Sequence, residues 1–186
     1  MSMYFLCGPH CSGKTSILKK LYDEGILNSI GSEIGKDLFY QRHFQTALQN
    51  KEYEYEVTNL EIARDHKFVD TKGLIGIETW HPGNLAYAMI RNPIAVPRLK
   101  ELMLQSPLLS DAIGIRLHVS YETILKRTVT FNSDREWAAG FYTKIENCLD
   151  DCLLSLGLLD RCISIDSNRS FDLVYNDIKK YILLNS

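Results

Sequence analysis

The sequence predicts an α/β fold in three layers, a parallel sheet of four or five strands with helices on both faces. Short continuous apolar runs bounded by turn residues suit strands buried on both faces. The segments between them carry apolar residues at helical spacing. The chain has 186 residues, the size of one domain, so we expect a single unit over 1–186. A composition of 45% hydrophobic and 24% charged residues supplies a sizeable core and excludes disorder, collagen and coiled coil. The formal charge of -2 gives no basic excess for a nucleic-acid binder and no polybasic run for a membrane surface. The expected partner is a small molecule.

Each element follows from a local pattern. Met3-Tyr-Phe-Leu-Cys7 is an apolar run ended by Gly8 and Pro9, and should be a central strand with 4–7 as its body. Lys14–Asp23 carries Ile17, Leu18 and Leu21 at helical spacing and stops before Gly25. Residues 26–34 are a weaker strand candidate. Residues 37–55 and 56–68 read as helical, with Leu38, Ala47, Leu48, Val57, Leu60 and Ala63 for one buried side. Leu74-Ile-Gly-Ile77 reads as a second buried strand ending at Glu78, and Pro82-Gly83 as a break before a helix over 84–91. A helix over 95–103, a strand over 112–119 and a helix over 121–130 follow. The polar stretch 131–134 precedes a long helix over 135–156, whose Trp137, Phe141, Ile145, Leu149 and Cys152 recur at steps of three to four. A strand over 161–165 and a helix over 171–184 close the chain.

Gly8-Pro-His-Cys-Ser-Gly-Lys14-Thr15 satisfies G-x-x-x-x-G-K-[ST] between a predicted strand and a predicted helix, the context a phosphate-binding P-loop requires. The glycines let successive backbone N–H groups of Gly8, Pro9, His10, Cys11, Ser12, Gly13, Lys14, Thr15 and Ser16 curl around phosphate, Pro9 excepted for want of an N–H. Lys14 would reach the β- and γ-phosphates, and Thr15 would hold Mg²⁺ beside ATP. The expected architecture is therefore a three-layer P-loop NTPase fold. His10 and Cys11 occupy variable positions of the loop and read as filler.

P-loop proteins include switches, motors and kinases. Val69-Asp-Thr-Lys-Gly73 has the D-x-x-G form of a GTPase switch segment, but Asn50-Lys51 continues as Glu52-Tyr53, so the guanine-reading N-K-x-D is absent. Kinase features are more numerous. Glu78-Thr-Trp-His-Pro-Gly-Asn-Leu-Ala-Tyr87 resembles, at equal length, the D-R-Y-x-x-S-x-L-A-Y segment of thymidylate kinases and the E-R-S segment of deoxynucleoside kinases. Glu33-Ile-Gly-Lys-Asp-Leu38 is similar to the E-I-G-K-x-L stretch of some thymidylate kinases. Ile124-Leu-Lys-Arg127 followed by Asp134-Arg135-Glu136 is similar to the arginine-bearing helix and lid of that superfamily. Thr79 stands where those kinases carry Arg. The order of strand, acid and aromatic also resembles nicotinamide riboside kinase-like proteins, which leaves the acceptor open. The resemblance implies an ATP- and Mg²⁺-dependent kinase of a nucleoside, nucleotide or similar small acceptor; a GTP- or ATP-driven switch is the alternative.

The residues themselves suggest roles. Glu78, ending a strand at the carboxyl edge of the sheet, can hold Mg²⁺ through water or take a proton from an acceptor hydroxyl, with Asp70 as its competitor. Lys14, Arg127 and Arg135, with Arg91 as a further candidate, would cover the charge of the transferring phosphoryl group. Trp80, Tyr87 and Phe44 are stacking candidates for a base, Glu33 and Arg64 for acceptor contacts, and Arg169 in the loop 166–170 for adenine. Residues 131–136, within a span of 127–140, would form a helical lid. Five scattered cysteines argue for a reducing compartment, and no apolar run is long enough to span a membrane, so we expect a cytoplasmic protein. A homodimer is compatible with this reading.

Overall fold

The structure, a computed structural model, describes residues 2–41, 52–128 and 134–186. Five strands, β1 (Ser2–Cys7), β2 (Ser29–Gly31), β3 (Leu74–Glu78), β4 (Ala112–His118) and β5 (Cys162–Asp166), form one parallel sheet in the order β2-β3-β1-β4-β5. Among the described residues the α-helices are α1 (Lys14–Asp23), α2 (Ile34–Gln41), α3 (Tyr53–Phe68), α4 (Trp80–Arg91), α5 (Val96–Met103), α6 (Tyr121–Arg127), α7 (Arg135–Ser155) and α8 (Phe171–Leu184). Among the described residues no helix is long and apolar enough to cross a membrane.

The central position of β1 explains its composition. Alternate side chains point to opposite faces. Met3, Phe5 and Cys7 therefore join Ile75 and Ile77 against Leu85 and Ala86 of α4, Leu99 and Met103 of α5, and Ile145 and Leu149 of α7. Tyr4 and Leu6 join Ile115 and Leu117 against Ile17, Leu18 and Leu21 of α1 and Val174, Ile178 and Ile182 of α8. Both faces of the strand are covered, so a continuous apolar run is what the position demands.

Several boundaries differ from expectation. Pro82 and Gly83 do not break the chain; α4 begins at Trp80 and runs through them. Proline at the third helical position removes an N–H that has no partner within the helix, so it is tolerated there. The weak strand over 26–34 shrinks to the three residues of edge strand β2. Helix α6 ends at Arg127. On α7, Trp137 is exposed, and the buried side is made by Ala138, Ala139, Tyr142, Ile145, Glu146, Leu149, Cys152 and Leu153. Part of the expected helix over 37–55 and half of the lid segment 131–136 fall outside the described residues, as does Phe44.

Candidate active site

The phosphate loop grows out of the centre of the sheet. β1 ends at Cys7 and α1 starts at Lys14, with Gly8 (φ 153°), Cys11 (φ 66°) and Gly13 (φ 96°) at positive φ between them. A Cβ on Gly8 would lie 2.7 Å from the Leu117 carbonyl oxygen, so only glycine lets the loop pass this close to β4. Lys14 is buried; its ammonium donates to the carbonyls of Gly8 (2.9 Å) and Pro9 (3.0 Å), at the centre of the curl. Ser167 Oγ donates to the Ser12 carbonyl at 2.7 Å, tying the loop to the turn after β5.

The third strand delivers the acid. Leu6 of β1 is in register with Glu78, so Glu78 emerges beside the phosphate loop, where the Thr15 hydroxyl donates to its Oε1 at 2.6 Å. Asp70 and Gly73 precede Leu74, which is in register with Ser2 at the other end of β1. The D-x-x-G segment therefore sits at the opposite edge of the sheet from the phosphate loop, and of the two acids it is Glu78 that the structure brings to the loop. Thr15 and Glu78 are hard oxygen donors of the kind Mg²⁺ takes, one hydroxyl and one carboxylate. Among the described residues there is no cluster of three or more His, Cys, Asp or Glu that would make an all-protein metal cage. This donor set fits an Mg²⁺ ion that completes its shell with water and phosphate oxygens.

The cleft beside the loop is lined by His10, Cys11, Gly13, Lys14, Thr15, Ser16, Glu33, Lys36, Glu78 and Arg127. A second cavity, of about 190 Å³, lies beside it, sharing His10, Glu33 and Lys36. Its walls are Phe39 and Tyr40 from α2, Tyr53 from α3, Tyr87 and Arg91 from α4, and Trp137, Phe141 and Tyr142 from α7, with Asn84 and Gly35. Trp137 stacks on Phe141 with centroids 5.6 Å apart. The helical periodicity of 137, 141 and 145 thus mixes two environments: the first two side chains line the cavity and the third enters the core.

Electrostatics separates the two compartments. Burial raises the Glu33 carboxyl above the usual range, Lys14 opposes this and Glu78 reinforces it. Burial, with Lys14 and Lys36 nearby, lowers His10 to about 4. Its ring stacks on Tyr142 at 5.1 Å, so a neutral imidazole divides the phosphate cleft from the aromatic cavity. Arg91 Nε donates to Glu54 Oε1 at 2.8 Å, and its guanidinium lies 5.2 Å from the Tyr53 ring centroid and 4.9 Å from that of Tyr87. Burial raises Glu54 even with Arg91 beside it. Desolvation likewise raises the Tyr53 phenol to about 12.

Of the other sequence candidates, Arg127 lies in the cleft, donating to the carbonyls of Cys11 and Arg169, both at 3.3 Å. Arg169 lines a third depression with Ile17, Ser167, Phe171 and Val174, on the far side of Arg127. Arg135 does not enter the cleft. Its guanidinium caps the carboxyl end of α6 instead, donating to the carbonyls of Leu125 (2.8 Å) and Thr128 (3.0 Å). Such carbonyls have no partner inside their own helix, which gives the cation a structural task. Trp80 is fully buried against Phe5 and cannot stack on a base. Arg64 donates to the Ser32 carbonyl and pairs with Glu61, away from both cavities. Arg91 belongs to the aromatic cavity and not to the phosphate cleft. The sequence reading missed Tyr53, Asn84, Trp137, Phe141 and Tyr142 as cavity walls; of these only Asn84 fell within a motif stretch, that ending at Tyr87.

No protein-family model matches the chain, and no curated protein matches it by sequence. Solved structures do. The chain is similar to the YorR protein of Bacillus subtilis, solved in complex with phosphorylated GDP, at 21% identity over 99% of this chain and 97% of that one, with a TM-score of 0.64. It is similar to deoxyadenosine kinase from M. mycoides, solved with dCMP and dCDP, at 12% identity over 99% and 100% of the two chains, with a TM-score of 0.71. The NadR protein, solved in complex with NR, matches at 14% identity and a TM-score of 0.71 over 98% of this chain and 50% of its own. At these identities the likeness shows the fold, that of P-loop kinases.

Proposed function

We propose that this chain is an ATP- and Mg²⁺-dependent phosphotransferase whose acceptor is a small molecule with a planar ring, a nucleoside, a nucleotide or a nicotinamide riboside-type compound. The observation that carries this reading is the adjacency of the phosphate cleft and the aromatic cavity, which share His10, Glu33 and Lys36 as lining residues. A switch protein needs only a nucleotide site; a second, aromatic-walled cavity beside the first is what transfer to a second molecule needs. That the fold is shared with deoxyadenosine kinase and shikimate kinase adds support.

In this reading the loop from Gly8 to Ser16 cradles the phosphates with its N–H groups, and Lys14 and Arg127 cover the charge that spreads over the transferring phosphoryl oxygens. Thr15 and Glu78 would hold Mg²⁺, which would supply positive charge to offset that of the phosphates. Glu33, with its raised proton affinity and its place between the compartments, accepts the proton of the acceptor hydroxyl. Tyr87, Phe141 and Tyr142 flank the acceptor ring, while Arg91 and Asn84 read its polar edge. Arg169 and Phe171 cover the adenine. Arg135 acts by holding the corner between α6 and α7.

Thermal-shift screening with a non-hydrolysable ATP analogue, Mg²⁺ and a panel of nucleosides, nucleoside monophosphates and ring-free polyols tests this. A bound acceptor at 100 times its Kd adds about 2.7 kcal/mol of stability. The expected result is stabilisation by ring-bearing compounds alone; stabilisation by ATP analogue or GTP analogue with no further response to any acceptor would favour the switch.

A further inference from the structure

Glu78 is followed at once by two residues in unfavourable backbone conformations. Thr79 has φ 65° and ψ −61°, and Trp80 has φ 51°. Neither a β-branched nor a bulky aromatic side chain adopts positive φ readily, and such a turn persists only where its surroundings fix it. Thr79 N donates to the Leu6 carbonyl at 2.8 Å, which pins the near end. The far end is pinned by a polar cluster in the core between α3 and α4. Trp80 Nε1 donates to Asp65 Oδ2 at 3.0 Å, His81 Nε2 lies 2.9 Å from the same oxygen, and Ser106 Oγ donates to it at 2.6 Å. His81 Nδ1 faces Glu61 Oε2 at 3.2 Å, and Arg64 Nη2 lies 3.4 Å from Glu61 and 3.8 Å from Asp65.

Glu61, Asp65 and His81 are each 0% exposed, and none lines either cavity of the site. Apolar residues would join two helices here without the desolvation penalty of buried charges. What apolar residues lack is direction: hydrogen bonds to one carboxylate fix the orientation of both the indole and the imidazole, and hence the rotation of residues 80 and 81 about the chain.

We propose that His81 is a positioning residue, clamped with Trp80 by the Asp65 and Glu61 carboxylates so that the strained turn at 79–80 holds Glu78 against Thr15. The inference rests on the reading of Glu78 as a magnesium-side carboxylate and adds the device that aims it. Disturbing the clamp loosens Glu78 without touching the loop that binds phosphate, so nucleotide affinity in the absence of metal stays while the gain conferred by Mg²⁺ falls.

The test measures the affinity of a fluorescent non-hydrolysable ATP analogue with and without Mg²⁺ in the full chain, for His81→Asn, Trp80→Phe and Glu78→Gln, with melting curves to establish folding. Outer partners of metal-ligating groups change metal affinity by about 10- to 100-fold. The expected result is that His81→Asn loses about tenfold of the Mg²⁺-dependent gain and keeps its metal-free affinity. Trp80→Phe, which keeps the ring and loses the N–H donor, loses a smaller share and carries the test should His81→Asn fail to fold. Glu78→Gln combined with His81→Asn is expected to be no worse than Glu78→Gln alone. Folded Trp80→Phe and His81→Asn proteins with the whole gain, beside a Glu78→Gln protein that has lost it, would overturn the positioning role and leave Glu78's role intact. A full gain in Glu78→Gln would overturn the role of Glu78 and the clamp's purpose with it.

Discussion

The Thr15 hydroxyl donates a 2.6 Å hydrogen bond to Glu78 Oε1 across 63 residues of sequence, joining the first turn of α1 to the end of β3. This contact places the Glu78 carboxylate beside the Gly8–Thr15 loop, while Asp70 lies at the other end of β3. Glu78→Gln is expected to lower kcat by on the order of 100-fold, about 2.7 kcal/mol of transition-state stabilisation, with nucleotide binding in the absence of metal little changed. Asp70→Asn, at the opposite edge of the sheet, should stay within about twofold of wild type. Steady-state kinetics on both variants checks the pair; a damaging Asp70→Asn with a mild Glu78→Gln would move the site.

Arg127 and Arg135 diverge in the same way. Arg127 faces the cleft, so Arg127→Ala should reduce transfer by roughly 100-fold, the scale of one lost transition-state cation, with a small change in melting temperature. Arg135 serves the carbonyls of α6, so Arg135→Ala should cost about 1 kcal/mol of stability, as lost caps do, and leave kcat near wild type below the new melting point. Thermal denaturation beside kinetics separates the two. An Arg135→Ala enzyme of normal stability and lost turnover would return this arginine to the phosphates.

Arg91 and Glu54 form a half-buried ion pair in the wall of the aromatic cavity. Removing one partner of such a pair strands the other charge, so Arg91→Ala should destabilise the fold by about 3 kcal/mol, and Arg91→Ala with Glu54→Gln by less. In the double variant the acceptor KM should rise about tenfold or more while nucleotide affinity holds, because the pair lies outside the phosphate cleft. Equal losses for nucleotide and acceptor would show that the cavity is not a separate subsite.

His10 gives a dependence on acidity with a definite sign. Its folded pKa is about 4, lowered by burial and by Lys14 and Lys36, against an unfolded value of about 6.5. The unfolded chain therefore binds the extra proton in that window. The His10 contribution to stability is whole above about 6.5 and is lost as pH falls toward about 4. Imidazole titration followed by NMR should show one ring neutral down to about pH 4, and His10→Asn should flatten the acid limb of the stability curve. A midpoint near 6.5 for every histidine would contradict the burial of this ring with Lys14 and Lys36 nearby.

The loop was legible because its pattern is local: eight consecutive residues, Gly8 to Thr15, carry the whole motif and bend the chain between β1 and α1. Glu78 was legible because an apolar strand that ends in an acid has one place to go. Register then sets Glu78 and Asp70 apart, since β1 pairs with β3 in parallel and brings the Glu78 end of β3 to the loop. The aromatic cavity was not legible. Its walls come from four helices separated by up to more than half the chain, and Trp137 follows the same spacing as the core residues behind it. Arg135 read as a cation near phosphate because sequence spacing says how far a side chain is from a neighbour along the helix and not which carbonyls its guanidinium reaches. Trp80 read as a stacking residue within a motif, yet the positive φ of Thr79 and Trp80, unsignalled by glycine, turns its ring into the core.

The claim that this cleft and cavity form one transfer site is tested most directly by product analysis. The protein is incubated with ATP, Mg²⁺ and single compounds from a panel of nucleosides, nucleoside monophosphates and nicotinamide riboside-type compounds, and phosphorylated products are followed by ³¹P NMR and mass spectrometry. The account predicts a new phosphate ester or anhydride on a ring-bearing acceptor, formed in step with ADP and abolished by Lys14→Ala. ATP hydrolysed to inorganic phosphate at a rate that no acceptor changes, with no phosphorylated compound in any reaction, would contradict it.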